Sequence, residues 1–344
     1  MACTSAGKSG IGVLARAPLA ARQTRTTAFG SSVAACDEAV WAFNMLELNH
    51  VSKRFGSVQA VSDLSLVARP GAVFGLLGPN GAGKTTSIRM ILDILQPDQG
   101  EVRWAGHRVD AVTRRTFGYL PEERGLYPKD KITEQLLFFG RLHGMKTADA
   151  RARMQELFEA FGLTDKLNSK PVELSKGNQQ KVQFIAAILH RPPLLVLDEP
   201  FSGFDPINVE VVKDAVRDLV AAGTAVLLSS HRMEQVEELC EDICIIDRSR
   251  AVVNGSLKEI KRSWPDRFVH MTQLPDMSFL EAFPGATVRP SANGIAAVRL
   301  TPQTDPAAIL RAAVTAGPVE HFEIVEPSLT DIYLHYVKPE DAAA

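Results

Sequence analysis

The sequence predicts an α/β fold in which a mainly parallel sheet is flanked by helices and joined to a helical insertion and a small α+β domain. Three observations predict it. Short, wholly apolar runs alternate with helix-like runs between about residues 45 and 250, the pattern of strands buried on both faces. The stretch from Ile132 to Leu167 keeps a helical pattern with no strand signal, and after Trp264-Pro265 the texture shifts to shorter runs.

The elements follow in order. Residues 1–44 are rich in Ala, Ser, Thr, Gly and Arg, with no acidic residue before Asp37, and such a composition cannot bury enough surface to fold alone. A disordered leader, or a misassigned start ahead of Met45, is expected; a basic, acid-poor transit peptide is the alternative. Gly7-Lys8-Ser9-Gly10 lacks the earlier glycine and the strand of a phosphate loop. In a main domain over 45–262, strands are expected at Val73–Leu77, Leu194–Leu197, Ala225–Leu228 and Ile243–Ile246, with a helix from Lys84 to Leu95. A helical subdomain occupies about 125–170. Strands at Ala296–Leu300 and Val319–Ile324, with helices at Pro306–Ala316 and Ser328–Val337, make an α+β domain over 263–338, followed by a tail at 339–344.

Composition sets outer limits. The 344 residues suffice for one large domain and one small one, and 45% hydrophobic with 23% charged residues is the balance of an ordinary globular core. A net charge of -2 gives no global pull toward nucleic acid or anionic lipid. No stretch approaches the roughly 18–20 apolar residues of a membrane-spanning helix, so a membrane role would be peripheral or through a partner. Cys3, Cys36, Cys240 and Cys244 form no CxxC pair. The last two, four apart as on one helix face, read as small buried hydrophobes in a reducing compartment.

The chemistry begins at Gly78-Pro79-Asn80-Gly81-Ala82-Gly83-Lys84-Thr85, which satisfies G-x-x-x-x-G-K-[ST] between a buried strand and a helix. Gly78, Gly81 and Gly83 let the backbone turn, so that its N–H groups, including those of Asn80 and Ala82, face phosphates beside a positive helix end. Lys84 would reach the β- and γ-phosphates, Thr85 would ligate Mg²⁺, and Thr86 would add a phosphate contact. Downstream, four apolar residues lead into Asp198-Glu199-Pro200. Acids at the carboxyl end of a buried strand point into the crevice where α/β sheets bind ligands. Asp198 is expected to hold Mg²⁺ and Glu199 to polarise the attacking water. The two motifs together imply a P-loop NTPase core.

They do not choose among P-loop enzymes. Leu174-Ser175-Lys176-Gly177-Asn178-Gln179-Gln180 does, because it resembles the LSGGQ signature of ABC ATPases and stands a short helix ahead of the acidic pair. The resemblance covers about residues 46–256 and implies a mainly parallel sheet with an antiparallel subdomain. It also implies ATP and Mg²⁺ as ligands, and Ser175 and Gly177 as a second phosphate cradle closing on ATP held by an opposing subunit. Phe55 stands where the family stacks an aromatic on adenine. Ser202-Gly203-Phe204-Asp205 resembles the D-loop, with Phe204 for the usual leucine, and His231 resembles the switch histidine that contacts γ-phosphate.

Two departures mark a subgroup. Glu122 stands where the family has the Q-loop glutamine, and a carboxylate can still ligate Mg²⁺. The signature carries Lys176 and Asn178 for the usual glycine and glutamine. With Glu122-Glu123-Arg124-Gly125-Leu126-Tyr127-Pro128 and the C-terminal Glu326-Pro327-Ser328-Leu329-Thr330-Asp331-Ile332-Tyr333, these resemble bacterial export ATPases of the sodium-efflux and drug-efflux type. The implied function is an ATP-hydrolysing subunit at the cytoplasmic face of the cell membrane. Its implied partners are a second copy or homologous ATPase subunit and a separate membrane permease. Two alternative functions make different demands on the sequence. A soluble ABC ATPase acting on ribosomes or DNA usually carries two such domains or coiled-coil insertions, whereas this chain shows one domain, no sustained heptads and no basic block. A non-hydrolysing regulatory subunit is opposed by the presence of Lys84, Asp198, Glu199 and His231 together.

Overall fold

Strands without a polar position have no face to offer solvent, so they must lie in the middle of a layered structure. The computed structural model describes residues 44–123, 125–289 and 294–337; the expectations for the leader, the Gly7–Gly10 fragment and the tail lie outside the described residues. The chain begins with β1 (Leu46–Phe55), β2 (Val58–Ala68), β3 (Val73–Leu77), α1 (Lys84–Ile91), β4 (Gln99–Trp104), β5 (His107–Arg108), α2 (Ala111–Arg114) and β6 (Gly118–Leu120). It continues through α3 (Ile132–Leu142), α4 (Thr147–Ala160), α5 (Lys176–Ile188), β7 (Leu194–Asp198), α6 (Pro206–Ala221), β8 (Ala225–Ser230), α7 (Met233–Leu239), β9 (Asp242–Asp247), β10 (Arg250–Ser256) and α8 (Leu257–Ser263). The C-terminal elements are β11 (Arg267–Thr272), β12 (Thr287–Arg289), β13 (Ile295–Leu300), α9 (Pro306–Ala316), β14 (Phe322–Val325) and α10 (Leu329–Tyr336).

The fold is α/β, as the sequence predicts. A six-stranded sheet runs β10-β9-β3-β8-β7-β6, parallel except for the β10–β9 hairpin. Its side chains alternate between two cores. Phe74, Leu76, Leu194, Val196, Ala225 and Leu227 pack with α1 and the antiparallel sheet β2-β1-β4-β5. Leu77, Leu195, Leu197, Val226 and Leu228 pack on the other side with the helices α3 to α7. The period of two thus sends every second residue of one strand into a different core.

Several local expectations need correction. Helix α1 stops at Ile91 rather than Leu95, because Asp93 takes a positive φ of 52° and Pro97 follows. Cys240 and Cys244 do not share a helix face: Cys240 ends α7 and Cys244 lies within β9, though both are buried. Burial of the Cys244 thiol pushes its pKa up to about 12. Val319, Glu320 and His321 are not strand; the Glu320 and His321 N–H groups donate to the Thr272 hydroxyl, both at 2.9 Å, and pairing starts only at Phe322. Strands β11 and β12 were not foreseen. Helix α9 starts and ends as predicted, entered through the Asp305 cap and Pro306.

The C-terminal sheet β12-β13-β11-β14 packs Val269, Met271, Val298 and Leu300 against Ile309 and Ala313 of α9. Helix α10 leaves that small core. Its Leu329 and Ile332 join Met233, Val236 and Leu257 in the main core, and the Leu329 N–H donates to Glu237 of α7 at 3.0 Å. Leu329→Ala is expected to cost about 2–5 kcal/mol at this seam. Hydrogen exchange would report it: amides of Met233–Leu239 should lose protection, and unchanged protection would show that α10 is not bracing α7.

Candidate functional site

The parallel ladder brings the motif-bearing loops to one edge. Leu77, the last residue of β3, lies opposite Ser230 at the end of β8, and Asp198 at the end of β7 lies opposite Ser229. The loop Gly78–Gly83, the acidic pair and His231 therefore emerge side by side at the carboxyl ends of adjacent strands.

The loop is shaped by close approach. A Cβ on Gly83, whose φ is 114°, would lie 2.4 Å from the Ala60 carbonyl, and one on Gly78 would lie 2.3 Å from the Ile246 carbonyl. Only glycine fits either place. The first backbone bond of α1 runs from the Ser87 N–H to the Gly83 carbonyl at 2.9 Å, so the N–H groups of Lys84, Thr85 and Thr86 precede the helical ladder. Among the described residues, the hydroxyls of Thr85 and Thr86 make no hydrogen bond to protein, whereas Ser87 turns back to Gly83 at 3.0 Å. Asn80 and Gly81 are exposed, and Ala82 is buried beneath them.

Lys84 is buried and donates to the Gly78 and Pro79 carbonyls at 2.7 and 3.1 Å. Burial pulls its pKa below the ordinary lysine value, opposed by the charges of Glu199, Asp198 and Glu122. Asp198 experiences the converse: burial lifts its carboxyl above the usual range, Ser229 opposes this, Glu122 and Glu199 add to it, and Lys84 opposes it. The charges of two buried carboxylates and of exposed Glu122 thus act on one buried ammonium. Among the described residues no three of His, Cys, Asp or Glu stand close enough to hold a metal ion by themselves, so a Mg²⁺ here would take most of its shell from phosphate oxygens and water.

Glu199 follows β7 directly and has a φ of 49°, a left-handed conformation that costs a non-glycine residue about 1–3 kcal/mol. The turn is fixed from both sides: its N–H donates to the Ser229 carbonyl at 2.9 Å, and its carbonyl accepts from the Ser202 N–H at 3.1 Å. It directs the carboxylate to His231, with Nδ1 to Oε1 at 2.7 Å, while the Ser230 hydroxyl lies 3.4 Å from Oε2. The Glu199 side chain is 10% exposed and that of His231 58%. A carboxylate is thereby oriented by an imidazole whose outer side meets solvent. The sequence placed these two residues separately and did not foresee their pairing.

Other predicted residues stand apart. Phe55 is 50% exposed at the end of β1, with the Lys53 ammonium 5.8 Å from its ring centre, so it is a surface aromatic and not a core side chain. Ser175 caps α5 by accepting from the Asn178 N–H at 3.3 Å, and Lys176 is exposed beside it. Gly177 faces Phe204 and Asn208, where a Cβ would meet them at 3.8 and 3.4 Å. Asp205 caps α6 through the Asn208 N–H at 3.0 Å. Among the described residues, no side-chain hydrogen bond joins this second group to the Lys84 group. Two buried glutamines went unremarked in the sequence, Gln183 of α5 and Gln135 of α3, both bonded to the stretch that carries Glu122. The available signal was a polar residue inside the apolar run Val182–Ile185.

Comparison with known proteins agrees with this fold. The family model described as ABC transporter matches residues 61–202, and one described as the C-terminal domain of DrrA1-3-like ATP-binding proteins matches residues 255–337. The ABC transporter ATP-binding protein YhaQ of Bacillus subtilis strain 168 is 46% identical over 294 residues, covering 85% of this chain and 98% of YhaQ. Nod factor export ATP-binding protein I of Paraburkholderia xenovorans is 38% identical, covering 61% of this chain and 70% of its own. The linearmycin resistance ATP-binding protein LnrL of Bacillus subtilis is 34% identical, covering 66% and 75%. Among solved structures, an ATP binding subunit of an ABC transporter superposes with a TM-score of 0.60 at 32% identity, covering 63% of this chain and 92% of that one.

A pH experiment tests the crowding of carboxylates. Because the folded-state pKa of Asp198 is raised, its contribution is fully present below the unfolded value and is lost as pH rises through the folded value. Asp198→Asn, neutral throughout, is therefore expected to raise Tm by a few degrees near neutral pH. The gain should shrink as pH is lowered from about 8 to about 4.5, as read by thermal melts of both proteins; a pH-independent difference would refute it.

Proposed function

This chain belongs to the ABC transporter ATP-binding proteins, and on that premise we propose that it hydrolyses ATP as one half of a head-to-tail dimer that drives a separate membrane permease in the export direction. The observation that carries the proposal is the Glu199–His231 pair, held at 2.7 Å beside buried Lys84 at the carboxyl edge of the sheet. The N–H groups of Lys84, Thr85 and Thr86, with the loop Gly78–Gly83, cradle the phosphates of ATP. Phe55 offers its exposed ring to adenine. Thr85, Asp198 and Glu122 would hold Mg²⁺, which would supply positive charge to the phosphates.

The proposed steps then follow from this chain's own groups. Glu199 orients a water in line with the γ-phosphorus and accepts its proton, and His231 holds that carboxylate in place. Lys84 and His231 stabilise charge on the transferring phosphoryl group. Ser175 and Gly177 open a helix of their own, and Asp205 stands nearby at the start of α6. In a head-to-tail dimer they complete the phosphate cradle of the opposing copy, and closure excludes water.

A groove between the six-stranded sheet and the helical region supports the permease as partner. Its volume is about 310 Å³, and its walls include Phe117, Tyr119, Leu126, Phe139, His143 and His190. The His143 and His190 rings stack at 3.7 Å, and burial with the neighbouring His143 pushes the His190 pKa down to about 4. Arg114 also lines the groove, and the mostly apolar remainder of the wall suits a helix with an apolar face. None of the described helices is long and apolar enough to cross a membrane, and the proposed location is the cytoplasmic face, through the permease. Export is supported by relatives whose names denote Nod factor export and linearmycin resistance.

Turnover of Mg²⁺–ATP measured against protein concentration tests the reading. Glu199→Gln is expected to lower kcat by about 10²–10⁴-fold while ATP binding persists, and specific activity of the parent should rise with concentration. Wild-type turnover in the variant would remove Glu199 from its proposed role.

A further inference from the structure

The described residues of the stretch 121–130, which carries Glu122 from β6 to α3, form neither helix nor strand. Among the described residues, Pro121, Glu122 and Glu123 make no backbone–backbone hydrogen bond. A segment so placed has little of its own to hold it in one conformation. Two buried side-chain amides hold it instead. Gln135 of α3, 5% exposed, accepts from the Tyr127 N–H and donates to the Tyr127 and Asp130 carbonyls, each at 2.9 Å. Gln183, midway along α5 and also 5% exposed, donates to the Glu123 carbonyl at 2.9 Å and to the Pro121 carbonyl at 3.4 Å.

The two carbonyls that Gln183 engages lie on either side of Glu122. A side-chain amide has two N–H hydrogens, and both are spent on this one turn. Gln183 is buried in a part of the helix where Val182, Phe184 and Ile185 are also buried, and a polar side chain in such a place is costly unless its amide finds partners. Glu122 in turn lies near enough to Lys84 and Asp198 for its charge to act on both. A carboxylate free to swing beside Asp198 would add repulsion without a fixed ligand geometry, and Mg²⁺ is exacting about geometry.

We propose that Gln183 is a positioning residue for Glu122, clamping the peptides on both sides of that carboxylate to the helix that starts at Ser175, so that Mg²⁺–nucleotide binding depends on this tether. The proposal rests on the reading that the Lys84 site binds Mg²⁺–ATP. It links the phosphate site, the signature-like helix and the wall of the groove through one side chain, since Gln183, Pro121 and Gly125 also line that groove.

Nucleotide affinity provides the test, measured on the full chain carrying Glu199→Gln with a fluorescent ATP analogue over a range of Mg²⁺ concentrations. Gln183→Leu, which keeps the bulk and removes the donors, should weaken Mg²⁺-dependent affinity about tenfold. It should also raise the Mg²⁺ midpoint while leaving affinity in EDTA within about twofold. Gln183→Glu guards against a misfolded leucine variant. It should bind poorly at a pH of about 8 and recover toward about 6, as the buried carboxyl gains a hydrogen to donate. In a Glu122→Ala background, adding Gln183→Leu should leave the Mg²⁺ midpoint unchanged, because the two act through one carboxylate. A Mg²⁺ midpoint unaffected by Gln183→Leu, or additive effects in the double variant, would overturn the proposal while the function reading stands. A parent that binds the analogue without regard to Mg²⁺ would overturn both.

Discussion

The parallel pairing of β3, β8 and β7 is the constraint on which the site depends. Residues at matched register positions, Leu77 with Ser230 and Ser229 with Asp198, end their strands at the same height. The segments that follow are the phosphate loop, the histidine turn and the acidic pair. None of the three reaches its neighbours by a long side chain or a mobile loop; each is the first few residues beyond a strand end. A one-residue slip would turn the side chains of a strand into the opposite core, and the two cores differ in partners, one sheet-backed and one helical. The alternation of apolar residues therefore enforces the register, and the register aligns the chemistry.

Burial gives that edge its electrostatic character. Lys84 is the buried cation among Asp198, Glu199 and Glu122, and burial acts in opposite directions on Lys84 and Asp198. Such a cluster is poor for stability, and under the proposed function it meets a ligand that brings phosphate charge and a divalent ion. Glu199 adds backbone strain, at φ 49° with no glycine. Strained backbone persists only where its surroundings over-determine it, and here the Ser229 carbonyl, the Ser202 N–H, Ser230 and His231 all grip the same residue.

Farther from the edge, contacts radiate outward through few residues. The Glu122 stretch is joined to α5 and α3 by buried glutamines. The helix after His231 is joined to α10 through Glu237 and Leu329. The C-terminal sheet keeps its own core around Val269 and Val298, so α10 is the part of it that extends the main core.

What the sequence determined by itself is what nearest neighbours in the chain decide. A glycine-rich loop between an apolar run and a helix, acids after four buried aliphatics and a helix from Pro306 to Ala316 are short-range signals, and each appears where it was expected. Only the tertiary structure decided which strand ends adjoin, that Glu199 binds His231 across 32 positions, and that Gln183 reaches back 60 positions to the Glu123 carbonyl. It also decided that Cys240 and Cys244 sit in different elements and that Val319–His321 serve as a loop held by Thr272. The physical reason is common to all of these. Local pattern sets the conformation a segment prefers, whereas the partner of a buried polar group or a strand edge is set by whichever distant segment satisfies it without leaving an unpaired group behind.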